Sequence, residues 1–315
     1  MKAISTLLSA AALSAIVLCI IPIFSSSWFF SFIGGMRLHL AVFAILVSLL
    51  LVLTGQWPYS LLPLVASLAM LIYLNLISAR VEQPATIAAA PHKLKVIEFN
   101  IFNANTNGAE ISAFLRSAQA DVAFILESDA VAARIPELAE TYPYRLGCGE
   151  KTKTCDLMIL SRHPLLEGKV RSVGGIRDHR YMQAKIDLGG GSSVSVVALH
   201  LTKPYYDDAH AEELRDAAQL VSTIEGPLIL AGDFNSSILA GDVQTFLKQL
   251  GLHTAAHEPR TWPISAPSLG LAIDHILVRP PAHIDSIHRI EDNFGSNHYG
   301  LMADISVESQ KPGGN

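Results

Sequence analysis

Charge is almost missing from the first quarter of the chain. Between residues 1 and 83 the only Lys, Arg, Asp or Glu side chains are Lys2, Arg37, Arg80 and Glu82. A water-soluble unit of that length needs a charged surface, so this scarcity excludes a soluble domain there and points to lipid as the solvent. Positive charge is also short beyond residue 83, where all but three of the chain's 23 basic residues face all but one of its 28 acidic ones. Lys and Arg supply non-specific affinity for nucleic acid by displacing counterions, so this balance removes any general attraction to DNA or RNA while leaving room for a local basic patch. Cysteine is scarce as well, and three residues exclude a disulfide-built scaffold. Cys19 lies in an apolar run and reads as a small buried thiol. Cys148 and Cys155 bracket a Gly-containing polar turn that brings two strands together; they are read as a disulfide, which persists only in an oxidising compartment.

Apolar residues are concentrated where charge is absent. Ala3 to Phe24 carries no charge and exceeds the roughly 20 residues a helix needs to cross the hydrocarbon core. Leu38 to Thr54 follows, interrupted only by His39, and a third run extends from Trp57 to Ile77. Backbone polar groups must be paired in lipid, so three transmembrane helices are predicted. A cleaved signal peptide is the rival for the first run, but its length and the two later runs favour retention. Loop charges barely orient the segment. Three spans put the termini on opposite sides, and a Cys148–Cys155 bridge then favours an inner-membrane protein with its C-terminal part on the periplasmic or extracellular side. The expected organisation is an anchor over residues 1–80, a linker over 81–93 containing two prolines, and a folded domain over 94–310.

Within that domain short β-rich runs alternate with helical patterns. Strands are predicted at 94–99, 122–126, 157–160, 181–187, 194–199, 228–231, 273–278 and 301–307. Ile111, Phe114, Leu115 and Ala118 follow helical spacing, as do Leu214, Ala217, Ala218 and Val221. Polar residues recur just after the apolar runs: Asn100, Glu127, His200, and Asp233 with Asn235. Any one of them is an ordinary turn residue. Five in the same context mark a rim on which side chains converge. Asp207, Asp208, His210, Glu212 and Glu213 read instead as the solvated start of a helix, where acidic side chains suit the dipole.

The motifs EFNIF (98–102), ILES (125–128), ALHL (198–201), LAGDFNS (230–236), AIDHILV (272–278) and SNHYGLMADI (296–305) resemble the endonuclease/exonuclease/phosphatase superfamily across nearly the whole domain. The resemblance implies an α/β fold, a four-layered α-β-β-α sandwich, with its site at one rim of two sheets. It implies Mg²⁺- or Mn²⁺-dependent hydrolysis of a phosphoester without a covalent intermediate. A carboxylate suits so hard a cation, and Glu127 is the leading metal ligand, beside the amides of Asn100 and Asn297. By the same resemblance Asp233 orients or deprotonates water, Asn235 donates to the phosphate, and His298, oriented by Asp274, contacts the phosphoryl group. His200 contacts phosphate or protonates the leaving group, and Arg180 is a candidate for substrate binding.

Family members usually carry Asp where this chain has Asn297, so a charged group is lost and altered metal affinity is expected. The expected partners are a phosphoester substrate, either a lipid headgroup or a nucleic acid, and the bilayer; no protein partner is inferred. Two other readings stand beside the membrane-anchored hydrolase. One is a metal-dependent nuclease acting on DNA or RNA, the other a catalytically decayed, membrane-tethered binding module. The joint retention of Glu127, Asp233, Asn235, Asp274 and His298 argues against decay.

Overall fold

The computed structural model describes residues 2–25, 27–55, 57–83 and 92–308. Most of the predicted linker, residues 84–91, lies outside the described residues, as do 309 and 310 at the predicted end of the domain.

Four helices come first: α1 (Lys2–Phe24), α2 (Trp28–Gly35), α3 (Arg37–Leu53) and α4 (Trp57–Val81). Among the described residues, α1 and the Ser60–Val81 part of α4 are each long and apolar enough to cross a membrane. The middle run departs from the simple third span expected of it. At 17 residues α3 is about 25 Å long, short of the roughly 30 Å hydrocarbon core. It reaches spanning length only when counted with α2, from which it is bent by 65°. The bend follows Gly34 and Gly35, where the chain is easily redirected.

The domain continues through β1 (His92–Asn100), α5 (Gly108–Ala118), β2 (Val122–Leu126), α6 (Ile135–Leu138), β3 (Tyr144–Gly147), β4 (Leu157–Ser161), β5 (Leu165–Val173), β6 (Arg177–Gly189) and β7 (Ser192–His200). It ends with α7 (Ala209–Ser222), β8 (Leu228–Asp233), α8 (Gly241–Leu250), β9 (Asp274–Arg279), β10 (Ala282–Arg289) and β11 (Leu301–Val307). One sheet has the order β10-β11-β1-β2-β4-β3 and the other β5-β6-β7-β8-β9. They face each other across a core that includes Val96, Phe124, Ile159, Val196, Ile229 and Ile276. Ile111 and Leu115 of α5 pack on the outer face of the first sheet. Leu214, Ala217 and Val221 of α7, with Val243 and Leu247 of α8, pack on the outer face of the second. Each helix buries the stripe its spacing dictates, and each fully buried Leu or Ile contributes about 1.5–3 kcal/mol.

The central strands β1, β2, β7 and β8 are covered on both faces, which is why they read as nearly continuous apolar runs. Two parallel pairs, β1 with β2 and β7 with β8, end at the same edge as the antiparallel partners β4 and β9 begin. That edge carries the polar residues.

Candidate functional site

Register alone brings most of the candidate residues together. Asn100 pairs with Leu126, which places Glu127 one residue beyond it. His200 pairs with Asp233 and Asp233 with Asp274, so three polar side chains sit side by side on adjacent strands. The approach of β8 to β7 depends on Gly232, at φ +153°: a Cβ there would lie 1.8 Å from the carbonyl oxygen of Leu199. His298 comes from the turn before β11, where Ser296 Oγ donates to Asn100 O at 2.6 Å and accepts from the His298 amide at 3.0 Å.

Asn100 ties the two halves of the rim together. Its amide nitrogen donates to Asp233 Oδ2 at 3.0 Å and to Glu127 Oε1 at 3.3 Å, while its oxygen accepts from the Phe102 amide. The donor side of Asn100, not its oxygen, therefore faces the carboxylates. Glu127 takes a left-handed backbone conformation at φ 51° and receives the Asn103 amide on Oε2 at 2.7 Å. Asp233 is held by the Asn235 amide at 2.6 Å, and Asn235 Nδ2 donates to Leu201 O at 2.9 Å and to Asp233 Oδ2 at 3.2 Å. His298 Nδ1 lies 2.8 Å from Asp274 Oδ2. Asn297 is exposed and lines the same cleft.

The electrostatics follow from burial and neighbours. Burial alone would depress the His298 pKa, but Asp274, Asp233 and Glu127 outweigh it and push it up to about 9. Asp233 is raised by burial and by the like charge of Asp274, against the pull of His298 and His200. Beneath them Glu98 is fully buried with neither carboxyl oxygen partnered, and burial together with Asp274 and Asp233 drives its pKa well above the ordinary range.

His200 and Arg180 meet at a residue that the sequence reading did not single out. Asp156, immediately before β4, accepts from Arg180 Nη2 at 3.0 Å on Oδ1, while Arg180 Nε and His200 Nδ1 each approach Oδ2 at 2.9 Å. Burial would raise the Asp156 carboxyl, but His200 and Arg180 hold it down to about 2. Arg180 thus spends its planar fork on Asp156 while still lining the cleft. Nε2 of His200 stands 3.9 Å from Asp233 Oδ2 and 4.0 Å from Glu127 Oε1. The strand pairing accounts for Asp156: an antiparallel strand that pairs Leu157 with Leu126 begins where β2 ends, so the polar residue before LMILS falls beside Glu127. Cys148 and Cys155 are joined as a disulfide one residue away, and Cys155 O accepts from the Ser128 amide at 2.9 Å.

The helix start at 207–213 corrects one reading. His210 and Glu213 are buried, not solvated: Glu213 Oε2 receives the Thr202 amide at 2.6 Å, and His210 Nε2 approaches Phe234 O at 2.9 Å. Both brace the loops that carry the site. Together Glu127, Asp156, Arg180, His200, Asp233, Asn235, Asn297 and His298 line a cleft of about 440 Å³, joined by Ile176, Arg177, Lys203 and Tyr206. Among the described residues, Asp233, Asp274 and His298 also offer donor atoms within 4.8 Å of one another, a spacing that can hold a metal ion.

Residues 97–298 match the family model described as "Endonuclease/Exonuclease/phosphatase family". The chain belongs to this family, whose members are hydrolases acting on phosphoester bonds. Solved structures share its fold. The endonuclease/exonuclease/phosphatase from Beutenbergia cavernae is 19% identical with a TM-score of 0.56, over 69% of this chain and 72% of that one. D. rerio TDP2, complexed with a single-strand DNA product, is 19% identical with a TM-score of 0.55, over 68% and 99%. A beta toxin mutant from Staphylococcus aureus with bound magnesium ions is 17% identical with a TM-score of 0.52, over 69% and 100%. No curated protein matches the chain.

Proposed function

We propose that this protein is a membrane-anchored, divalent-metal-dependent hydrolase that cleaves a phosphoester by direct attack of water. The observation that carries the reading is the single rim on which Glu127, Asp233, Asn235, the Asp274–His298 pair and His200 converge. A helical anchor over 1–80, a linker over 81–93 and a catalytic domain over 94–310 complete it, with the disulfide supporting an exported domain.

Mg²⁺ or Mn²⁺ would neutralise phosphate charge and act as a Lewis acid. Glu127 fits such an ion because its carboxylate opens into the cleft and has a hydrogen bond fixing its orientation. Asn297 is a neutral oxygen donor lining the same cleft, and Asn100 holds the carboxylates in position. The Asp233, Asp274 and His298 cluster is the poorer fit: His298 Nδ1 is engaged by Asp274, and a protonated imidazole has no lone pair for a metal.

Asp233 takes the proton of the attacking water. Its raised pKa makes it a stronger base than an exposed Asp. His298, cationic at neutral pH, donates from Nε2 to the phosphoryl oxygens where negative charge grows. Asn235 keeps Asp233 aligned and stands beside the phosphate. His200, with Nδ1 fixed by Asp156, directs Nε2 to the leaving-group side.

The test is hydrolysis of bis(4-nitrophenyl) phosphate by full-length protein in detergent, with Mg²⁺, with Mn²⁺ and with excess chelator. Turnover should require the metal and fall at least about a hundredfold in Glu127→Gln and in His298→Ala. Turnover that survives both chelator and His298→Ala sinks the proposal.

A further inference from the structure

We propose that the rim of the cleft is seated against the bilayer, and that Phe32, Tyr205 and Tyr206 form a strip along which a lipid phosphoester passes from the membrane to the reacting groups. The proposal rests on the anchored-hydrolase reading above and narrows its substrate to a membrane-resident amphiphile.

The direction of the chain sets the geometry. Pro22 near the end of α1 and Gly34 just before α3 lie against Ala240 and Gly241 at the start of α8, so α2, between them, lies at the domain surface. One face of α2 is fastened to the domain: Ser31 Oγ donates to Asp242 Oδ2 at 2.5 Å, and Ser237 Oγ donates to Gly35 O at 3.1 Å. The rest of WFFSFIGG is aromatic or apolar, and Phe29 is 46% exposed. Short aromatic helices of this kind suit the headgroup level of a bilayer.

From α2 the aromatic surface runs on without a break. The Phe32 ring meets Tyr205 at 5.3 Å, and Tyr205 meets Tyr206 at 4.6 Å. Tyr206, 70% exposed, lines the cleft with Glu127, His200, Asp233 and His298. Ile176, 58% exposed at the turn between β5 and β6, lines the same cleft. Arg177 and Lys203 line the same cleft and supply cations that attract lipid phosphates.

The domain is also turned the right way. Leu239, in the loop after Asn235 on the rim, packs with Cys19, Ala41, Leu74 and Ile77 of the helices. α4 then runs on along the domain. Gln83 bonds the backbone of Ile284, a residue of β10 at the edge away from the site. The apolar parts of the helices therefore lie toward the rim. Exposed aromatics can equally stack on the bases of single-stranded nucleic acid. The acidic balance of the domain and the direct continuity of the strip with α2 favour lipid.

The experiment uses full-length protein carrying Cys19→Ser, reconstituted in vesicles of phosphatidylcholine, phosphatidylethanolamine and phosphatidylglycerol. A fluorophore is placed at Tyr206→Cys, Ile176→Cys or, on the far edge of the sheet, Lys185→Cys, and quenching by headgroup spin-labelled lipid is measured. Quenching at 206 and 176 should exceed that at 185 severalfold; equal quenching at all three overturns the seating. In parallel, mass spectrometry follows release of phosphorylated headgroup from the vesicles. In Phe32→Ala/Tyr205→Ala the ratio of lipid turnover to bis(4-nitrophenyl) phosphate turnover should fall at least about tenfold, the scale of one lost aromatic burial. An unchanged ratio, or cleavage of single-stranded DNA with no lipid product, overturns the lipid route. Failure of the wild type to hydrolyse even the soluble diester removes the underlying hydrolase reading and this proposal with it, whatever the quenching.

Discussion

Replacing Asp274 with Asn tests the Asp–His pair most directly, because its effect is on a charge and its sign is fixed by the structure. In the folded protein His298 is pushed up to about 9, chiefly by Asp274 acting against burial. The imidazole is thus almost fully protonated at pH 7.5 and loses its proton only as the pH rises through 9. Without the carboxylate its pKa falls, because burial disfavours the charged ring and only Asp233 and Glu127 remain to oppose it. A pKa brought to one unit below the assay pH lowers the protonated fraction, and with it kcat/KM, about tenfold, roughly 1.4 kcal/mol of barrier. Loss of orientation adds to this. The pH–rate profile of diester hydrolysis is the assay. The wild type should stay level from about pH 7 to 8.5 on this limb and decline above 9, whereas Asp274→Asn should gain activity as pH falls toward 6. A variant within threefold of wild type at pH 7.5, with the same alkaline limb, refutes a His298 cation made by Asp274.

Asp156→Asn should destabilise the domain at neutral pH by about 2 kcal/mol, because a carboxyl held near 2 in the folded state and near 3.9 unfolded favours folding above pH 4. That contribution is lost as pH falls through 2, so wild-type and variant thermal melts should differ most at pH 7 and converge in acid. Asn297→Asp adds a carboxylate to the metal side of the cleft and should lower the Mn²⁺ concentration for half-maximal activity by about tenfold, one added ionic ligand being a large change for a hard cation; an unchanged metal titration contradicts that placement. Gly232→Ala should abolish folding or cost more than about 4 kcal/mol, because its Cβ would collide with Leu199 O at 1.8 Å; normal expression and melting would contradict this packing. Cys155→Ser should loosen the approach to Asp156 and reduce diester turnover more than Cys19→Ser does, read by comparing kcat in oxidised and reduced preparations.

Legibility in the sequence tracked burial. All eight predicted strands are present: seven lie inside their sheets and read as apolar runs, and the eighth, β9, is an edge strand whose buried Ile276, Leu277 and Val278 give the same pattern. The three that escaped prediction, β3, β5 and β10, are all sheet edges. β5 alternates exposed Glu167, Lys169 and Arg171 with partly buried neighbours, a pattern that charges disguise. The rim was read from polar residues that follow strands, which finds Asn100, Glu127, His200 and Asp233. It misses Asp156, which precedes one, because antiparallel pairing is not visible in a local window. Helix polarity misled in the same way: Glu213 and His210 look like solvated residues at a helix start until the Thr202 and Phe234 backbones are seen to need them. α2 escaped because eight residues after a Ser-rich break are too few for a span.

Under the proposed function, attachment of the helices at the rim has a mechanical consequence. A hydrolase tethered by a long linker samples all orientations, and its cleft meets the bilayer only part of the time. Here the helices are themselves docked on the domain: Ser31 holds Asp242, Ser237 holds Gly35, and His39 Nε2 lies 2.8 Å from Leu269 O. These bonds fix the direction of the cleft as well as its height. Each is individually worth about 1 kcal/mol, up to about 3 where the acceptor is charged as at Asp242, and they act together over a small area. In the proposed function the helices would thereby contribute to substrate choice, presenting to the site the phosphoester embedded in the adjoining leaflet.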